Sequence, residues 1–172
     1  MKRYTFANQI SSFLANKVDS IALFSTDVGF IEDASEGQEF NVLKYGDFGL
    51  DLYGNGLVVS KVFSEENPDA VRAFIEATLR GINYTFENPN EAAEIVAKSA
   101  PGQSAESLIT YIPPSQELVV TPDTQANGLG TMTDERWTAT EELLLEYAGQ
   151  ENSVSLEELF SSEYLPETPI LP

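Results

Sequence analysis

Two Asn-Pro pairs, Asn67-Pro68 and Asn88-Pro89, constrain this chain more than any other feature. Proline at the first helical position has its fixed φ already set for a helix and gives up an N–H that the helix could not use. Each pair opens a run of helical spacing: Val71, Phe74, Ile75, Leu79 and Ile82 after the first, and Ala92, Ile95 and Val96 after the second. The asparagines are expected to cap these helices. A third helix is expected over Ala105–Ile112, broken at Pro113-Pro114. Thr133 opens a fourth with Trp137, Leu144, Leu145 and Ala148 inward and Gly149 as its stop. Ser155-Leu-Glu-Glu158 reads as a capping box for a last short helix.

The first third of the chain reads differently. Phe6, Ile10, Phe13 and Leu14 form one helix stripe, with Thr5 as its N-cap. Ile21–Phe24, Phe40–Tyr45 and Leu57–Val59 read as short strands. Ser25-Thr-Asp27 turns the first into a short helix near Val28–Ala34, and Gly46-Asp-Phe-Gly49 forms a loop after the second. The order is thus mixed α/β and then helical. Three short strands do not make an ordinary sheet, so they are expected to belong to sheets completed by other segments.

Composition excludes several functions. The 172 residues carry 28 acids against 9 bases, a net charge of −19, which opposes binding to nucleic acid. From Trp137 to Pro172 there are eight Glu and no base, read as a solvated acidic surface that includes Glu141 and Glu142. With no Cys and no His, disulfides, thiol chemistry and the usual general base are absent. Gly54-Asn-Gly56 and Gly128-Leu-Gly130 lack the spacing and the Lys of a phosphate loop. Met1-Lys2-Arg3 starts like a signal peptide, but no apolar stretch follows.

Binding chemistry is expected on loops after strands, where polar groups converge. Phe24 ends the first strand and Thr26 and Asp27 follow it; these two cap the next helix, touch a ligand, or do both. Asp47 and Phe48 shape a turn or face the ligand at a crossover. Tyr53 and Asn55 flank glycines that allow close approach of backbone or merely make a bend. No base is among these seven. Aromatic faces with carboxylates suit a flat neutral or cationic heterocycle bearing N–H donors.

Val18-Asp-Ser-Ile21, Phe24-Ser-Thr-Asp27, Tyr45-Gly-Asp-Phe-Gly49 and Leu52-Tyr-Gly-Asn-Gly-Leu57, in that order, resemble the NMT1/THI5-like substrate-binding proteins. So do Asn67-Pro-Asp-Ala-Val-Arg-Ala-Phe74, Leu79-Arg-Gly81, Asn127-Gly-Leu-Gly130, Glu135-Arg-Trp137 and the closing stretch Phe160–Pro166. The resemblance implies a periplasmic-binding-protein type II fold, α/β in three αβα layers, with only the C-terminal part of the two lobes present. Residues 1–48 would end lobe two and make the crossover, and 49–172 would be the mostly helical return into lobe one. A truncated reading frame accounts for this; a natural half-length protein is the alternative.

The implied role is the solute receptor of an ABC importer, with permease and ATPase partners. The full-length form would be periplasmic, or extracellular and membrane-associated. The implied ligand is a thiamine pyrimidine precursor or riboflavin, with nitrate, sulfonate or taurine as the alternative. No cofactor is implied. The family's pyrimidine-synthase enzymes resemble proteins that use His and iron, which this chain cannot supply. Uncovered helix stripes further predict a homo-oligomer.

Overall fold

The computed structural model describes residues 6–172. The two Asn-Pro pairs sit at tight joints between consecutive helices, α3 (Lys61–Glu66), α4 (Pro68–Glu87) and α5 (Pro89–Ser99). The asparagines act differently from expectation. Neither side chain caps the helix that follows. Asn67 Nδ2 donates back to Phe63 C=O at 3.4 Å, and Asn88 Nδ2 to Tyr84 C=O at 3.2 Å, so each amide closes the helix before it. Asp69 and Glu91 in the first turns complement the helix dipoles instead.

The next helix, α6 (Ala105–Val119), runs through Pro113-Pro114 rather than breaking there. It packs along α5 and also meets α4 and α2 (Val28–Ala34), and this packing holds the helical path on both sides of the prolines. Ile112, immediately before the pair, is buried. Ser104 caps the helix, accepting from Ser107 N–H at 3.1 Å. A helix not expected from periodicity, α7 (Pro122–Asn127), starts at a Thr121/Thr124 capping box. Thr133 caps α8 (Asp134–Tyr147) as expected, accepting from Arg136 N–H at 3.3 Å. Gly149, at φ +76°, ends it and lets Gln150 N–H fold back to Leu144 C=O. In α9 (Leu156–Leu159) the Ser155 side chain makes no cap bond, so that capping box does not form. Glu141 is more than a solvated acid: it accepts from Ser153 Oγ at 3.0 Å and from Val154 N–H, which ties α8 to the approach to α9.

At the other end, α1 (Phe6–Leu14) meets the 38–40 segment through an edge-on Phe13–Phe40 contact, centroids 5.9 Å apart. The Thr5 cap lies outside the described residues. No helix among the described residues is long and apolar enough to cross a membrane.

The three expected strands are the main correction. Ile21–Phe24, Phe40–Tyr45 and Leu57–Val59 contain no ladder, and no strand occurs among the described residues. The three-layer α/β arrangement is therefore not seen among the described residues. The physical reason is that a strand is defined by its partner, and these segments make no backbone hydrogen bond to one another. Residues 51–59 take part in no backbone–backbone hydrogen bond with other described residues.

The core is thin. Val71, Leu79, Ala92, Ala93 and Ile112 are buried where α4, α5 and α6 meet, with Ile31 on α2 and Leu129 beyond α7. Other members of the expected stripes, Phe74, Ile95, Val96 and Leu144, remain exposed.

The C-terminal tail closes over this bundle at the Gly128-Leu-Gly130 motif. Leu129 N–H donates to Ile170 C=O at 2.8 Å. A Cβ on Gly128 would lie 2.8 Å from Pro169 Cβ, and one on Gly130 would lie 3.2 Å from a Leu79 methyl. Both glycines have positive φ, +100° and +84°. Arg72 on α4 holds the same tail, over the Tyr164 ring and 3.6 Å from Glu163. Gly128→Ala is expected to lose about 1–3 kcal/mol by strain and overlap together, and to free the tail to protease. Gly149→Ala, with nothing near its Cβ, is expected to lose only the conformational part, about 1–2 kcal/mol, with no change in tail cleavage. Urea unfolding with limited proteolysis compares the two.

Candidate functional site

Ser25, Thr26 and Asp27 form a 3-10 turn leading directly into α2 and resting on α6. Phe24 precedes it in extended conformation with its ring 65% exposed. Asp27 stands at the N-cap position of α2 but its side chain makes no cap bond. Its Oδ2 is buried and has no hydrogen-bond partner among the described residues. Of the two readings of Asp27, helix cap or ligand contact, the capping bond is thus not made. A buried carboxylate oxygen without a donor is costly, on the order of 1–3 kcal/mol or more for a charged group. Such an atom is an acceptor waiting for an N–H or O–H.

Asp47 and Phe48 lie in a second 3-10 turn, Tyr45–Phe48, closed by Gly49 at φ +87°. The Phe48 ring is 69% exposed. Asn55 is exposed on the extended stretch that follows. Among the described residues no hydrogen bond or ring contact links the 24–27 turn, the 45–48 turn and Tyr53.

Tyr53 has a definite place of its own. Its hydroxyl accepts from Thr133 N–H at 2.8 Å, at the start of α8. The Arg136 guanidinium lies over its ring, 4.8 Å from the centroid, and pairs with the Asp51 carboxylate. The Tyr53 ring then meets Trp137 at 5.6 Å, and Trp137 stacks on Phe160 at 5.6 Å and 12°. Trp137 Nε1 donates to Met132 Sδ. Trp137, expected as an inward core residue, is only half-buried and packs against loop and tail rather than in the bundle. Arg136 is the base that sequence reasoning did not set beside the candidate residues. It stands in the Glu135-Arg-Trp137 motif, but nothing in the local pattern places it across 85 residues from Asp51.

A shallow, open depression lies by Glu32, Ser35, Gln38, Glu39, Phe40 and Asn41, none of them an expected site residue. No cluster of three or more potential metal ligands occurs among the described residues.

The family model described as NMT1/THI5 like matches residues 2–92. The chain belongs to the NMT1/THI5-like family. Over 134 residues it is 31% identical to the riboflavin-binding protein RibY of Chloroflexus aurantiacus, a match covering 76% of this chain and 38% of that protein. The chain thus spans well under half the length of this curated relative. No solved structure matches it.

The Tyr53 cluster makes a separable prediction. Tyr53→Phe, which loses the bond to Thr133 N–H and keeps the ring, is expected to destabilise by about 0.5–1.5 kcal/mol. Tyr53→Ala removes the ring from between Arg136 and Trp137 and is expected to lose about 3 kcal/mol or more. Chemical denaturation of the two variants measures the difference.

Proposed function

We propose that this chain is part of the solute receptor of an ABC importer and that its ligand is a flat, N–H-bearing heterocycle of the flavin or aminopyrimidine kind. The observation that carries the reading is the 31% identity to a protein named for binding riboflavin. Flavin is accordingly preferred over a thiamine pyrimidine precursor.

Phe24 offers an exposed ring face beside Asp27, whose buried Oδ2 lacks a donor. An aromatic face and an unpaired carboxylate acceptor complement a planar ring with an imide or amine N–H. Thr26 adds a hydroxyl at the same turn. Asp47, Phe48 and Asn55 belong to the site in the assembled two-lobed α/β fold, where the sheets are completed by the rest of the receptor. Tyr53 belongs there too, holding the loop against α8 while Asn55 stays free. Permease and ATPase are the partners in transport, with the receptor outside the cytoplasm.

An oxyanion ligand such as nitrate or a sulfonate would need a free guanidinium or several N–H groups. Arg136 is already engaged by Asp51 and Tyr53. Calorimetric titration with riboflavin, an aminopyrimidine, taurine and nitrate tests the reading. Binding of a heterocycle and not of the anions is expected; tight taurine or nitrate binding with no heterocycle binding would overturn it. Asp27→Asn is expected to weaken heterocycle binding about tenfold, the equivalent of one charge-assisted hydrogen bond.

A further inference from the structure

Asparagine followed by glycine is the pair at which a chain most readily modifies itself. The glycine backbone nitrogen, once deprotonated, attacks the asparagine Cγ, and with no Cβ on the glycine the approach is unhindered. The sequence contains two such pairs, Asn55-Gly56 and Asn127-Gly128. Both asparagines are exposed, so exposure of the side chain does not separate them.

The attacking nitrogens do. Asn127 is the last residue of α7, and its Nδ2 donates to Asp123 Oδ1 at 2.7 Å. Gly128 is buried, its N–H donates to Thr124 C=O at 2.9 Å, and Pro169 lies against it. There the nucleophile is occupied and the carboxamide is held. At the other pair, neither the Asn55 carboxamide nor the Gly56 N–H makes a hydrogen bond among the described residues. Gly56 has a φ outside the left-handed region, and a Cβ on it would meet only Met132 Cε, at 3.9 Å.

We propose that Asn55 is a self-modification site, deamidating through a succinimide, while the fold protects Asn127. Gly56 N gives up its proton to solvent hydroxide and bonds to Asn55 Cγ. The Cγ–Nδ2 bond breaks, and the side-chain nitrogen leaves as ammonia, taking a proton from water. A second water opens the ring at either carbonyl, which leaves aspartate or isoaspartate. No oxidant or cofactor enters the balance. The product carries one negative charge beyond the −19 of the unmodified chain. The isoaspartate form also lengthens the backbone by one methylene, two residues after Tyr53. The reaction needs only the Gly54-Asn-Gly56 loop, not a partner for Leu57–Val59.

Peptide mapping by mass spectrometry of the full chain, incubated at neutral and mildly alkaline pH, tests this. In the folded chain Asn55 is expected to convert about tenfold faster than Asn127 or more, since Asn127 must first open locally. Conversion of Asn55 is expected to speed up as pH rises, because the attacking nitrogen must be deprotonated. In urea, where the α7 bonds are lost, Asn127 is expected to catch up with Asn55. Gly56→Ala, which this backbone accepts, is expected to leave the helical circular dichroism unchanged and to slow Asn55 by about tenfold. Equal rates in the folded chain, faster loss of Asn127, or no conversion at Asn55 would overturn the proposal. So would an Asn127 rate unmoved by urea, or an Asn55 rate unmoved by pH or by Gly56→Ala.

Discussion

The packing of α5 between α4 and α6 is the contact on which the remainder of the structure depends. It uses small residues, Ala92 and Ala93, which let the helices approach closely, with Val71, Leu79 and Ile112 around them. Several other segments are attached to this bundle. The 25–27 turn rests on α6, the tail crosses Gly128–Gly130 beside Leu79, and Arg72 on α4 holds Glu163 and Tyr164. The Asn-Pro joints matter because they set two sharp changes of direction with no loop to spare, so α3, α4 and α5 must fold back on one another.

The extended segments show the opposite case. Their apolar β-branched residues have the composition of buried strands, yet within this chain they touch little. Burial of each such side chain is worth about 1.5–3 kcal/mol, so the sequence invests stability that the isolated chain does not collect.

The helices were legible in the sequence because their signals are local. The spacing of Val71 and Leu79, the Thr133 start and Gly149 stop of α8, and the short helix at Val28–Ala34 all depend on residues a few positions apart. What was not legible depends on distant neighbours. Pro113-Pro114 fail to break α6 because of packing against α5, and the asparagine amides choose the preceding carbonyls over the following N–H groups. Strand pairing was misjudged for the same reason. At the candidate site, the residue types of Phe24 and Asp27 were readable, but the unpaired Oδ2 was not. The company of Tyr53 was likewise hidden, since Arg136 and Trp137 reach it from far along the chain.

That distance has a kinetic consequence. The bundle of α4, α5 and α6 is built from contacts close in sequence, the kind that form early in folding. Tyr53 meets Thr133, and Asp51 meets Arg136, across 80 and 85 residues. Closing so long a loop costs entropy that a single aromatic stack repays only once α8 exists to receive it. The stack is therefore expected to close last. Its opening would then be a low-energy partial unfolding that frees residues 51–60 and the 160 region together while the three-helix bundle persists.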